Sequence, residues 1–147
     1  MALVSKKDAE LLSKEFATRL DRPVKLVMFT QETECMYCTE TRQIAEEIAA
    51  LSDKITVEVY DLMRDKETAE RYAVDKIPAI ALVRVEESGE RDYGIRLYGI
   101  PSGYEFTSLI EDIWDVSRGS TDLKPRTKEA LATITQPVHI QVFITPT

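Results

Sequence analysis

Between Val24 and Thr30 the chain reads VKLVMFT, apolar everywhere except the second and last positions. A short run without alternation predicts a strand covered on both faces of a sheet. Ahead of it, Ala9, Leu12, Phe16 and Leu20 recur every three or four residues, which predicts an amphipathic helix opened by Ser5 and Asp8 and closed before Arg22-Pro23. The polar turn QETECMYC follows the strand, and a second helix is expected from near Cys35 with Ile44, Ala45, Ile48 and Leu51 inward. Ile55–Asp61 alternates as a strand does, and a short polar helix is expected over Lys66–Ala73. KIPAIALVRV leads through a proline into a strand over Ala79–Val85. EESGE then turns the chain at Gly89, and Tyr93, Ile95 and Leu97 alternate along the returning strand. GIPSGYEF breaks that strand. Ser102 and Glu105 have capping-box spacing for a last helix whose inner face is Phe106, Leu109, Ile110, Ile113 and Trp114.

The order α-β-α-β-α-β-β-α predicts an α/β fold, a mixed central sheet of four strands with helices on both faces. That unit is expected to fill residues 1–117, with a Gly-, Ser- and Pro-containing linker over 118–126. Residues 127–147 then echo the beginning. Aligned without gaps, Lys14–Thr33 and Lys128–Thr147 share Lys, Glu, Pro, Val, Phe and Thr at matching places. Helix, proline, apolar strand and turn recur in one order, so 127–147 reads as the truncated start of a second, similar unit. Its strand, Val138–Ile144, is expected to pair with the first unit or with another copy of the chain, giving a homodimer.

Composition adds exclusions. Of 147 residues, 44% are hydrophobic and 31% charged, an ordinary globular balance, and the net charge is −7. Lys and Arg never cluster beyond the pair Lys6-Lys7, which argues against nucleic acid or an anionic membrane as partner. The N-terminus has no continuous apolar stretch of the secretory kind and no run approaches membrane-spanning length, so a cytoplasmic location is expected.

The only cysteines are Cys35 and Cys38, with Met36 and Tyr37 between them. At the end of a strand and the start of a helix, unpaired N–H groups and the helix dipole stabilise a thiolate. The first cysteine is then the nucleophile, and the second, one turn along, closes a small disulfide ring and releases product. A zinc site needs four ligands, and this chain offers two cysteines and the distant His139, so metal would have to bridge two chains. Ile77-Pro78 stands just before a strand. The proline is a strand's first residue, or a cis bond that leaves the preceding backbone free for an extended substrate.

The strand running into CMYC, with KIPAIAL and YGIPSGYEF after it, resembles the thioredoxin superfamily and its glutaredoxin-like members. The added N-terminal helix and the closing FITPT are similar to protein disulfide oxidoreductases that carry two thioredoxin-like units in one chain. The resemblance implies a thiol–disulfide oxidoreductase acting on protein disulfides, with Cys35 as nucleophile, Cys38 as resolving thiol, and Met36, Tyr37, Ile77 and cis-Pro78 on the substrate side. It implies no bound cofactor or metal, and a thioredoxin-reductase-like flavoprotein as a partner. A second reading is an electron-relay module between a flavoprotein and a peroxiredoxin, since tandem units of this kind also open the alkyl hydroperoxide reductase flavoproteins. The chain departs from glutaredoxins, which usually carry a lysine shortly before the first cysteine; here Gln31, Glu32, Thr33 and Glu34 stand there. It also lacks the buried aspartate of the thioredoxin central strand, and Glu32, Glu34 and Glu40 oppose thiolate formation.

Overall fold

A strand apolar on both faces needs a neighbour on each side, and Val24–Thr30 has both. In the computed structural model, which describes residues 1–145, the elements are α1 (Lys6–Arg19), β1 (Val24–Thr30), α2 (Cys38–Ala49), β2 (Ile55–Asp61), α3 (Lys66–Arg71), β3 (Ala79–Glu86), β4 (Gly89–Tyr98), α4 (Tyr104–Arg118) and α5 (Pro125–Ala132). The sheet order is β2-β1-β3-β4. β1 runs parallel to β2 and antiparallel to β3, and β3 and β4 form the hairpin turned at Gly89. This is the mixed four-stranded α/β architecture expected from the sequence, with the added N-terminal helix.

The pleat divides the core in two. Val24, Leu26 and Met28 of β1 and Ile80 and Leu82 of β3 face Leu12 and Phe16 of α1, Ile44 and Ile48 of α2, and Leu109 and Ile113 of α4. On the other side, Val27, Phe29, Ala79, Ala81 and Val83 pack on Ala69 of α3 and on Tyr72 and Val74. Lys25, the one charged residue of β1, lies at the end of this second face. It forms ion pairs with Glu58 (2.8 Å) and Glu90, and the hydroxyls of Tyr60 and Tyr72 donate to those carboxylates at 2.8 and 2.6 Å. Burial alone would lower the Lys25 pKa, but the two carboxylates outweigh it and hold it raised. Burial, followed by the Glu90 bond, pushes Tyr72 up to about 12.

The helix ends fit their chemistry unevenly. The Ser5 hydroxyl accepts the Asp8 N–H at 3.1 Å, as expected. The capping box expected from Ser102 and Glu105 does not form. Gly103, at φ 62°, is the N-cap of α4, and no side chain bonds that end. A glycine takes that backbone angle without strain, so the chain enters the helix one residue later than Ser102 would require. At the other end, α4 stops on Gly119 at φ 69°, where an added Cβ would meet the Arg84 guanidinium. Ser117 fixes α4 to the α1–β1 turn by accepting the Asp21 N–H and donating to the Arg22 carbonyl (2.9 and 2.6 Å). Arg19 lies 3.4 Å above the Trp114 ring.

Beyond Gly119 the echo of α1 and β1 behaves differently from its original. α5 has no buried residue. Val138–Ile144, expected to be a strand in a sheet, forms none, and its Phe143 is 87% exposed. β1 is built by neighbours on both sides, and among the described residues no strand pairs with this segment. Pro146 and Thr147, which close the echo, lie outside the described residues.

One carboxylate works against the fold. Asp112 on α4 is pushed up to about 6, first by burial and then by Asp115 and Glu111. Its folded value lies above the ordinary carboxylate value of 3.8, so ionising it costs more in the folded than in the unfolded chain. The penalty grows as pH rises from near 4 and is complete above about 6. Asp112→Asn should therefore raise the melting temperature at pH 7 by a few degrees and leave it nearly unchanged at pH 4, which thermal melts followed by circular dichroism would check.

Candidate active site

Strand registers bring four chain segments to one edge of the sheet. Thr30 ends β1 opposite Asp61, the end of β2, because these strands are parallel. Phe29 lies opposite Ala79, the first residue of β3, and Ala79 opposite Tyr98, the last of β4. The loops after β1, β2 and β4 and the loop before β3 therefore converge. All the residues singled out in the sequence, Cys35, Met36, Tyr37, Cys38, Ile77 and Pro78, lie on those loops or at the adjoining start of α2.

Cys35 and Cys38 form a disulfide with Cα atoms 5.6 Å apart. Cys35 is half-buried and Cys38 is 4% exposed, so the first sulfur faces visitors and the second is covered. The helix does not begin near Cys35 as expected. Tyr37, at φ 70°, is its N-cap and Cys38 its first residue, leaving Cys35 and Met36 in the preceding turn. A left-handed residue cannot continue a right-handed helix backwards. The helix-end field therefore acts most directly on Cys38, with Cys35 just ahead of the first turn.

The Ile77–Pro78 peptide is cis, and the Pro78 carbonyl accepts the Gly99 N–H at 2.9 Å. Ile77 is half-buried against the second core face, as Tyr60 and Leu62 are. Asp61 organises the loop after β2. Its Oδ1 accepts the N–H groups of Met63 and Arg64 at 2.8 and 2.9 Å, and the Arg64 bond leads in holding its carboxyl below the usual range. Arg64 in turn pairs with Glu32 at 2.8 Å, tying this loop to the one that carries Cys35. Sequence reasoning missed Asp61, Met63, Arg64 and Tyr98, because only the strand register brings them to this edge. It missed Thr41 as well: one turn beyond Cys38, this side chain is fully buried and its hydroxyl has no partner among the described residues. A polar position on the otherwise apolar face of α2 was the available signal. Among the described residues no group of three or more His, Cys, Asp or Glu could hold a metal ion. No helix among them is long and apolar enough to cross a membrane.

A partly exposed cysteine, a covered one three residues on and a cis-proline loop at the same edge make an arrangement for thiol–disulfide exchange. Comparison with known proteins agrees. No family model matches the chain. The fold overlays a protein disulfide oxidoreductase from Aeropyrum pernix with a TM-score of 0.83 and 26% identity, over 97% of this chain and 60% of that one. An N-terminal domain of an alkyl hydroperoxide reductase from Enterococcus faecalis overlays with a TM-score of 0.73 and 26% identity, over 85% of this chain and 58% of that one. The chain thus spans about 60% of the length of these two structures. A probable thioredoxin of Methanothermobacter thermautotrophicus is 34% identical over 90 residues, which are 60% of this chain and 94% of that protein. With nearly the whole of a thioredoxin matched, and the cysteine pair on the loop where the fold presents it, the chain belongs to the thioredoxin family.

Proposed function

We propose that this protein is a thiol–disulfide oxidoreductase acting on protein disulfides. The observation that carries this is the Cys35–Cys38 disulfide, with one sulfur accessible and the other buried, at an edge where Ile77 precedes the strand ladder and is free to meet an extended chain. In the reducing direction the Cys35 thiolate attacks a substrate disulfide. A mixed disulfide forms, and the leaving sulfur departs as a thiolate that takes up a proton. Cys38, having lost its proton, attacks the Cys35 sulfur, which closes the internal disulfide and releases the second substrate thiol. Two electrons and two protons pass from the Cys35–Cys38 dithiol to the substrate. A reduced dithiol donor returns the protein to its starting state, and every step reverses when substrate thiols are to be oxidised. Met36 and Tyr37 flank the nucleophile and contact the incoming chain.

The family relation and a reducing-compartment chemistry support a cytoplasmic location and a flavoprotein reductase as electron source. The overlay on the alkyl hydroperoxide reductase domain favours one second reading, an electron relay from such a flavoprotein to a peroxiredoxin. We also read residues 118–126 as a linker and 127–147 as the opening helix and strand of a second thioredoxin-like unit. The echo of α1 and β1 and the absence of buried residues in α5 support this. A homodimer through Val138–Ile144 is the other arrangement that would cover the segment.

In the insulin-reduction assay Cys35→Ser should lose at least about a thousandfold in rate, the scale of losing a nucleophile. Cys38→Ser should accumulate a mixed disulfide with substrate, visible by non-reducing mass spectrometry. Unimpaired turnover by Cys35→Ser would contradict the proposal. Removing residues 120–147 should leave the melting temperature and the exchange rate within error of the full chain, and should remove any dimer seen by light scattering. Unfolding of the shortened chain would show instead that the segment belongs to the first unit.

A further inference from the structure

The redox edge has a composition of its own. Met36 (74% exposed), Met63 (57%), Tyr98 (46%) and Tyr37 offer apolar side chains to solvent around the disulfide, an unusual grouping for a small acidic protein. Two of them are methionines, whose flexible, polarisable side chains adapt to partners of varied shape. Charge next to the cysteines is acidic. Arg64 is neutralised by Glu32 (2.8 Å) and Lys76 by Asp75 (2.8 Å), while Lys66, at the start of α3, stands farther along this rim. Glu34, immediately before Cys35, and Glu40, in the first turn of α2, have no ion-pair partner among the described residues. The Asp61 carboxylate adds to them, spent on backbone N–H groups but still negative.

From this we infer the substrate class: polypeptide disulfides flanked by apolar and basic residues, in preference to acidic polypeptides or glutathione disulfide. The inference rests on the oxidoreductase reading and deepens it. Apolar flanks bury Met36, Met63 and Tyr98, while a Lys or Arg within a few residues of the substrate cysteine meets Glu34 and Glu40. Complementary charge acts mainly on the encounter rate, and its contribution fades as salt screens it. Glutathione disulfide brings carboxylates and little apolar surface to an edge where Glu34 and Glu40 stand beside the disulfide and Arg64 and Lys76 are already paired.

The test uses the full chain, reduced beforehand with dithiothreitol that is then removed. Two disulfide peptides are compared, identical with Leu on one flank and carrying either Lys or Glu on the other. Second-order rates of peptide reduction are read by acid quench and mass spectrometry. At low salt the Lys peptide should react at least about fivefold faster, and at ~0.5 M salt the two rates should converge. In the double variant Glu34→Gln, Glu40→Gln the low-salt ratio should fall toward one. Removing those carboxylates also alters Cys35 itself, but that change multiplies both rates and cancels in the ratio. Trp114, on the α1–α4 contact, reports that the variant is folded. Equal rates at low salt, a faster Glu peptide, or a ratio unchanged in the double variant would overturn the inference while leaving the oxidoreductase reading intact. Reduction of neither peptide would overturn both.

Discussion

The structure depends on β1 being buried from both faces and hydrogen-bonded from both sides. Because β2 lies parallel to it and β3 antiparallel, the chain must deliver the end of β1, the end of β2 and the start of β3 to one edge. The cysteine loop, the Asp61 turn and Ile77–Pro78 therefore meet without any of them having to find the others. Burial of a side chain such as Phe29 or Leu26 contributes roughly 1.5–3 kcal/mol, so this alignment is backed by the strongest force in the fold. The loops themselves are tied by weaker means: the exposed Glu32–Arg64 pair, the Asp61 turn and the Gly99–Pro78 bond. A rigid sheet carrying lightly tethered loops suits the proposed exchange with unlike polypeptides.

The two sulfurs differ by position more than by local chemistry. Cys38 is held on the first turn of α2 and covered by the core, while Cys35 stands in the turn before it. This asymmetry supports the proposed division into an attacking and a resolving thiol. The acidic neighbours push the other way from the helix end: helix-end N–H groups favour a thiolate, and Glu34 and Glu40 oppose one. A less stabilised thiolate makes a dithiol a better electron donor, which favours the reducing direction of the proposed exchange.

Much of this was legible in the sequence. The VKLVMFT run identified the central strand, and the three- and four-residue spacings identified α1 and α4 with their inner faces. CMYC and Ile77-Pro78, singled out in the sequence, are the segments that the strand registers bring to one edge. What escaped has physical causes. The start of α2 at Cys38 depends on Tyr37 adopting a left-handed angle, which a tyrosine rarely does and which its neighbours do not announce. Ser102 and Glu105 have capping spacing, but Gly103 between them takes the cap. Met63 and Arg64 reach the site only through the parallel register of β1 with β2, a long-range fact absent from any local pattern. The pattern of Val138–Ile144 is that of β1, yet an apolar run becomes a strand only where a neighbour supplies its hydrogen bonds.

The most direct test of the central claim is the reduction potential of the Cys35–Cys38 pair, measured by equilibration against glutathione and thioredoxin couples. The account predicts a single two-electron transition closer to thioredoxin's value of about −270 mV than to the roughly −120 mV of a dedicated oxidant. A transition near the oxidant's value would contradict the electrostatic argument, and the absence of any reversible transition would contradict the redox site itself.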